Sequence, residues 1–225
     1  MKAMILAAGR GERMRPLTDQ MPKPLLVAGG KPLIVWHIER LAAAGLRELV
    51  INHAHLGEKL EAALGDGSQW GVRIAWSPEP PGALETAGGI ANALPLLGEN
   101  AFLVVNGDVW CNWDFNRARD IARRGTGYAA HLVMKDNPDH HTGGDFRLEG
   151  DTLRLADGGP TLTYCGIGIF RPDFFAGVPR GAVMKLRPLL DEAIPRGIVS
   201  GERHTGRWVD VGTPERLAAL DRELT

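Results

Sequence analysis

Hydrophobic residues fall in short runs, and the polar segments between them repeat with a helical period. Residues 1–7, 48–52, 72–76 and 102–105 are apolar runs of strand length, each stopped by Gly, Pro, Asn or His, and they predict short buried strands. Residues 32–44 place Leu33, Ile34, Trp36, His37 and Leu41 at helical spacing, with Pro32 suited to a first turn and Gly45 to an end. Residues 56–64 and 86–94 predict the next two helices, the second closed by Pro95. Strands alternating with helices imply parallel pairing through right-handed crossovers, which sets loops and any ligand at the carboxyl ends of the strands.

A helix is expected over residues 114–124, and after it the texture changes. Residues 128–134, 145–148, 152–155 and 161–170 read as strands between glycine-rich turns, with few helices before 184–194. Residues 207–211 read as a strand, and Thr213 followed by Pro214 and Glu215 predicts the cap and first turn of a helix through Leu220. The expected fold class is α/β: a Rossmann-like, mostly parallel sheet flanked by helices, with a smaller antiparallel β flap. One domain is expected over residues 1–225.

Composition narrows the function classes. Lys plus Arg total 26 and Asp plus Glu 27, so the excess positive field of a nucleic-acid binder is missing and any bound anion must be met by local charge. No run approaches the roughly 18 apolar residues of a membrane span. The opening MKAMILAAGR is too short for a signal peptide, so a cytoplasmic location is expected. Cys111 and Cys165 are far apart among apolar or small residues, which favours reduced thiols over a bridge or metal site. His53 with His55, and His140 with His141, lack partners at zinc spacing and read as hydrogen-bonded or solvated side chains.

The loop after the first strand, LAAGRGERMRPLT at residues 6–18, is the most informative stretch. Gly9-Arg10-Gly11 invites a dinucleotide-binding reading, but Met14 stands at the third glycine position and Pro16, Pro22 and Pro24 prevent the long helix required there. No acidic residue follows at the end of a second strand to hold a ribose, and a Walker loop fails for want of Gly-Lys-Ser/Thr. What remains is a phosphate cradle of another kind, with exposed amides at Gly9 and Gly11 and the side chains of Arg10, Arg13, Arg15 and Lys23 close in sequence. Arg10 suits a solvated surface turn equally well. Lys23 differs, because Pro22 and Pro24 restrict its backbone and pre-position its ammonium. Asp108 ends the strand-to-turn run VVNGD and is a candidate Mg²⁺ ligand or a turn-former. Asp210 lies between Val209 and Val211, where a charge requires a compensating partner, which a shared cation would supply.

LAAGRGERMRPLT followed by PKPLL resembles the opening signature of the sugar-1-phosphate nucleotidyltransferases, and VVNGD at 104–108 and WVDVGTPE at 208–215 extend the resemblance over nearly the whole chain. It implies that Ala8, Gly9, Gly11, Glu12, Arg13 and Lys23 hold the triphosphate of a nucleotide, with Arg13 and Lys23 as the catalytic cations. It further implies that Asp108 and Asp210 ligate Mg²⁺, and that Gly82, Ala83 and Thr86 meet the base, where a helix start adds unpaired amides. Similar relatives often have glycine where Glu85 stands, and the LETAGG form is similar to bacterial enzymes that activate N-acetylmuramate 1-phosphate with UTP. The nucleotide-binding part is then residues 1–110, and residues 111–225 with the flap form the sugar side.

On that side the resemblance points to Asn106, Gly144, Asp157 and Gly166, although the same glycines suit hairpin turns. Many relatives carry a Glu-Lys-Pro element whose lysine grips the sugar phosphate. Here the comparable stretch is Leu155-Ala156-Asp157-Gly158-Gly159-Pro160, without the lysine, and Lys185 and Arg187 are candidate substitutes. The implied partners are a nucleoside triphosphate, UTP before others, and a sugar 1-phosphate. Mannose 1-phosphate with GTP, and glucose 1-phosphate with UTP or dTTP, are the alternatives within the class. A nicotinamide-dependent oxidoreductase and a non-catalytic nucleotide sensor are the alternatives outside it. Oligomeric state is left open, and the chain is expected to lack the C-terminal extension of larger relatives.

Overall fold

In a computed structural model describing residues 1–124 and 127–225, the first half builds the parallel alternation. In chain order it runs β1 (Ala3–Leu6), the hairpin β2 (Val27–Ala28) and β3 (Lys31–Pro32), α1 (Leu33–Ala43), β4 (Glu48–His53), α2 (Gly57–Leu64), β5 (Arg73–Pro78), α3 (Glu85–Leu97) and β6 (Phe102–Asn106). The second half adds β7 (Val109–Cys111), α4 (Arg117–Arg124), β8 (Ala130–Lys135), β9 (Phe146–Glu149), β10 (Thr152–Leu155), β11 (Thr163–Phe170), α5 (Leu186–Ala193), β12 (Val199–Arg203), β13 (Trp208–Asp210) and α6 (Pro214–Leu224). Nine strands form one sheet in the order β5-β4-β1-β6-β11-β8-β12-β10-β9. β5, β4, β1 and β6 are mutually parallel, β11 runs against both β6 and β8, and the β9–β10 hairpin closes the far edge. The antiparallel portion is therefore continuous with the parallel one, as an extension of the same sheet.

The first strands are apolar throughout because both faces of the sheet are covered. Ala3 and Ile5 pack into the cluster of α1, α2 and α4, whereas Met4 enters the opposite cluster with α3 and α5; Leu49 and Ile51 against Val50 repeat the alternation. β1 lies between β4 and β6, so the chain leaves it first to one side and later to the other. A crevice opens at such a reversal, beyond the carboxyl ends of the strands.

Three expectations are corrected. α3 runs through Pro95 to Leu97 instead of closing there. Proline so near the end removes a single helical hydrogen bond, while Leu97 is buried and Gly98 N–H donates to Leu94 O (2.9 Å) to finish the turn. The helix expected over 114–124 begins at Arg117, because Asp114 accepts from Asn116 N–H (3.0 Å) and holds the preceding turn. β12 was not expected as a strand; it pairs in parallel with β8, His131 opposite Ser200. The helix start at Thr213 is as expected, its Oγ1 accepting from Arg216 N–H at 3.3 Å, and the helix continues to Leu224. Cys111 and Cys165 are free buried thiols, pushed above the ordinary thiol range by burial. No helix among the described residues is long and apolar enough to cross a membrane.

Candidate active site

The crevice at the end of β1 is a cleft of about 500 Å³. From one side it is lined by the loop Ala8, Gly9, Gly11, Glu12 and Arg13, and from the other by Gly82, Ala83 and Thr86; Lys23, Asn106 and Asp108 lie between them. Eleven residues named from the sequence thus share one cleft.

Gly11 anchors the loop. Its φ of +68° is a left-handed conformation, and a Cβ there would lie 3.0 Å from Thr18 Cγ2 and 3.2 Å from Lys23 Cβ. Its carbonyl accepts from Met14 N–H (2.9 Å) and Thr18 Oγ1 (2.8 Å), which folds the loop back before Lys23. Arg15 Nε donates to Asp19 at 2.7 Å, and Arg10 reaches His55 and, at 3.7 Å, Asp19, so Arg10 is both a cleft wall and a surface pair. Lys23 begins a tight turn between Pro22 and Pro24 with its side chain 8% exposed, and its Nζ donates to Asp108 Oδ2 at 2.7 Å.

The opposite wall is tied to the loop through side chains that carry no local motif. Ala7 N–H donates to Asn52 Oδ1 (2.8 Å), Asn52 Nδ2 donates to Glu79 Oε1 (2.6 Å), and Glu79 Oε2 accepts from Leu84 N–H (2.8 Å). This chain of hydrogen bonds crosses the ends of β1, β4 and β5 and needs glycine at position 89, where a Cβ would lie 2.5 Å from Glu79 Oε1. The amides at the start of α3 differ from expectation. Ala87 N–H and Gly88 N–H both donate to Met184 O at 3.0 Å, so they join the helix to the second half and are not unpaired. Ala83 and Glu85 adopt φ of 58° and 61°, a left-handed region that favours glycine. The Glu85 side chain lines the cleft.

Asp210 reaches the region by another route. β13 pairs with β7, Asp210 opposite Val109, and Val211 N–H donates to Asp108 O at 3.0 Å, which carries the two aspartates on neighbouring segments. The partner demanded by its apolar neighbours is present within the protein: Arg216 Nη1 donates to Asp210 Oδ2 at 2.6 Å, with His140 Nε2 3.4 Å from the same oxygen. Asp108 lines the cleft; Asp210 does not, although Gly212, two residues further on, does. Asp108 and Asp210, on segments joined by the Val211 to Asp108 hydrogen bond, each offer the hard carboxylate oxygens that Mg²⁺ takes, an ion that needs few protein ligands and shares the rest with phosphate. Among the described residues no group of three or more His, Cys, Asp or Glu could hold a metal.

The sugar-side candidates divide. Gly166 (φ +73°) sits in an irregularity of β11, and a Cβ there would be 2.6 Å from Asn106 Nδ2, so those two residues meet at the cleft. Gly144 packs against Asn137 and Thr161, next to Asp145, which accepts from Tyr164 N–H at 2.8 Å. Asp157 is not brought to the cleft; it pairs with Arg147, whose guanidinium holds its carboxyl below the usual range. Arg187 donates to Asp191 at 2.7 Å and lies 4.6 Å over the Phe146 ring, and Lys185 caps α5 at the surface.

A glycine-rich loop at the reversal of a parallel sheet and the Lys23–Asp108 pair thus share one cleft. The chain belongs to the nucleotidyl transferase family, whose profile matches residues 2–144. It is 57% identical to the N-acetylmuramate alpha-1-phosphate uridylyltransferase of Neisseria meningitidis serogroup B over 96% of this chain and 95% of the relative. The protein of the same description from Caulobacter vibrioides is 36% identical over 99% of this chain and 96% of its own length. A Bacillus anthracis crystal structure assigned as a glucose-1-phosphate thymidylyltransferase, in complex with a sucrose, superposes with a TM-score of 0.86 at 20% identity, covering 100% of this chain and 95% of that one, and so shares the fold.

Proposed function

We propose that the protein joins UTP to N-acetylmuramate 1-phosphate, giving UDP-N-acetylmuramate and pyrophosphate, with Mg²⁺ as cofactor and the cytoplasm as its site of action. The observation that carries the choice of substrates is the 57% identity, over nearly both full lengths, to an N-acetylmuramate alpha-1-phosphate uridylyltransferase. The cleft supports the reaction class.

In this reading an oxygen of the sugar phosphate attacks the α-phosphorus of the nucleotide in line. A new P–O bond forms, the α–β bridging bond breaks, and its electron pair leaves with pyrophosphate. The attacking oxygen is already anionic near pH 7, so the enzyme supplies no base. What it supplies is orientation and positive charge. The amides of Gly9 and Gly11 with Arg13 hold the β- and γ-phosphates, Lys23 meets the charge that develops on the leaving group, and Asp108 and Asp210 would hold the metal. When bound, the ion offsets the charge of the crowded phosphates. The Asn52–Glu79 chain keeps the base wall at a fixed distance from the phosphate loop.

A matrix of UTP, dTTP and GTP against N-acetylmuramate, glucose and mannose 1-phosphates, scored by pyrophosphate release, tests the proposal. UTP with N-acetylmuramate 1-phosphate is expected to give a kcat/KM at least ten-fold above every other pair, and a metal chelator to abolish it. Preference for GTP with mannose 1-phosphate would overturn the substrate assignment.

A further inference from the structure

The attacking substrate in this reaction carries a phosphate dianion, and among the described residues the cations on the strands of the sugar side are engaged elsewhere. The stretch Leu155-Ala156-Asp157-Gly158-Gly159-Pro160 contains none. Arg147 is engaged by Asp157 and Glu149, Lys135 Nζ donates to Gly206 O (2.9 Å), and Arg187 is engaged by Asp191 over the Phe146 ring. Lys23 is bound to Asp108.

Arg216 is also paired, with Asp210 through Nη1, but its Nη2 lies beside a glycine of the cleft. It stands on the first turn of α6, yet its guanidinium reaches the cleft wall: a Cβ on Gly212 would lie 2.5 Å from its Nη2 and 3.2 Å from Arg13 Nη2. Two guanidinium groups therefore converge on one glycine of the cleft, a like-charge arrangement that costs energy by itself and suits two neighbouring phosphates, the nucleotide's at Arg13 and a second at Arg216. Asp210 and His140 fix the orientation of Arg216, both through Nη1, at 2.6 and 2.7 Å. The side chain is 22% exposed, and planar, multi-donor guanidinium is the group best matched to a phosphate.

We propose that Arg216 binds the phosphate of the attacking sugar 1-phosphate, and that it would share Asp210 with the metal, so that removing the guanidinium would free that carboxylate for the ion. The proposal rests on the reaction assigned above and names the residue that serves its second substrate. Arg216 was not apparent from the sequence, where it is an ordinary helix arginine.

The test compares wild type with Arg216→Met and Arg216→Lys in two assays. In steady-state kinetics, Arg216→Met is expected to raise KM for the sugar 1-phosphate at least ten-fold while KM for UTP stays within two-fold, and Arg216→Lys to recover part of the loss. In titrations of Mn²⁺ followed by electron paramagnetic resonance, without nucleotide or sugar, Arg216→Met is expected to bind the ion several-fold more tightly. An unchanged KM for the sugar 1-phosphate, an increase confined to UTP, or Mn²⁺ affinity that is equal or weaker would overturn the assignment. If Arg216→Met fails to fold, as judged by circular dichroism, the lysine variant decides by the same criteria. Wild type inactive with every substrate pair would instead overturn the underlying reaction, whereas an active wild type with unmoved variants overturns the role of Arg216 alone.

Discussion

Asp108→Asn is expected to lower kcat/KM by about 10²–10³-fold, and Lys23→Ala by a similar factor, with both proteins still folded. The magnitude is that of removing one electrostatic group aimed at a phosphate transition state, about 2.7–4 kcal/mol. The two residues form one unit, Nζ to Oδ2 at 2.7 Å, so the double variant is expected to lose much less than the product of the single losses. Folding should survive because asparagine still offers Lys23 an oxygen, and because Asp108, 38% exposed, is rehydrated when the lysine is removed. Lys23→Met keeps the buried stem beside Gly11 and separates loss of charge from loss of packing. Steady-state kinetics with thermal melts of each variant checks this; a normal rate from either single variant would remove the residue from the site.

Acidification is expected to destabilise the fold through His37. This side chain on α1 is buried, its Nε2 donates to Val109 O at 2.7 Å, and its Nδ1 has no hydrogen-bond partner. Burial in an apolar setting lowers its pKa to about 4 from the ordinary 6.5. Between those values the unfolded chain binds the proton and the native protein does not, so stability rises with pH across the interval. As pH falls, the loss begins near 6.5 and is complete near 4, with a size on the order of 3 kcal/mol from the cost of about 1.36 kcal/mol per unit. Because Val109 follows Asp108, the same hydrogen bond steadies the strand behind that carboxylate. Urea denaturation of wild type and His37→Gln at pH 7, 6, 5 and 4 checks the sign, since other groups titrate in both proteins and their difference isolates His37. Parallel stability profiles would contradict the assignment.

The sequence made the parallel half legible because those strands are covered on both faces, and Met4, Ile5, Val50 and Ile51 therefore stand in unbroken apolar runs. The loop after β1 was legible for a similar reason: Gly11 is left-handed, and Pro22 and Pro24 flank Lys23, so the constraint is local. β12 escaped notice because its buried residues include Ser200 and Gly201, and its polar groups are satisfied only by neighbours distant in sequence. Ser200 pairs with His131 at 2.9 Å, and Glu202 accepts from Trp113 Nε1 at 2.7 Å. Asn52 read merely as a strand terminator, and Glu79 belongs to no local motif. Their roles exist only because β4 and β5 end side by side, Asn52 opposite Ser77. Arg216 is hidden in the same way, since it reaches Asp210 only when α6 turns back along β13.

The central claim is that this cleft transfers a nucleotidyl group to an anionic oxygen under the control of a metal and fixed cations. Phosphorus-31 NMR of the wild-type protein with UTP, N-acetylmuramate 1-phosphate and Mg²⁺ tests it most directly. The account predicts that the signals of both substrates decline together while a sugar-linked diphosphate and pyrophosphate grow in equal amounts. Conversion of UTP to nucleotide and free phosphate with the sugar phosphate untouched, or no change in any signal, would contradict it.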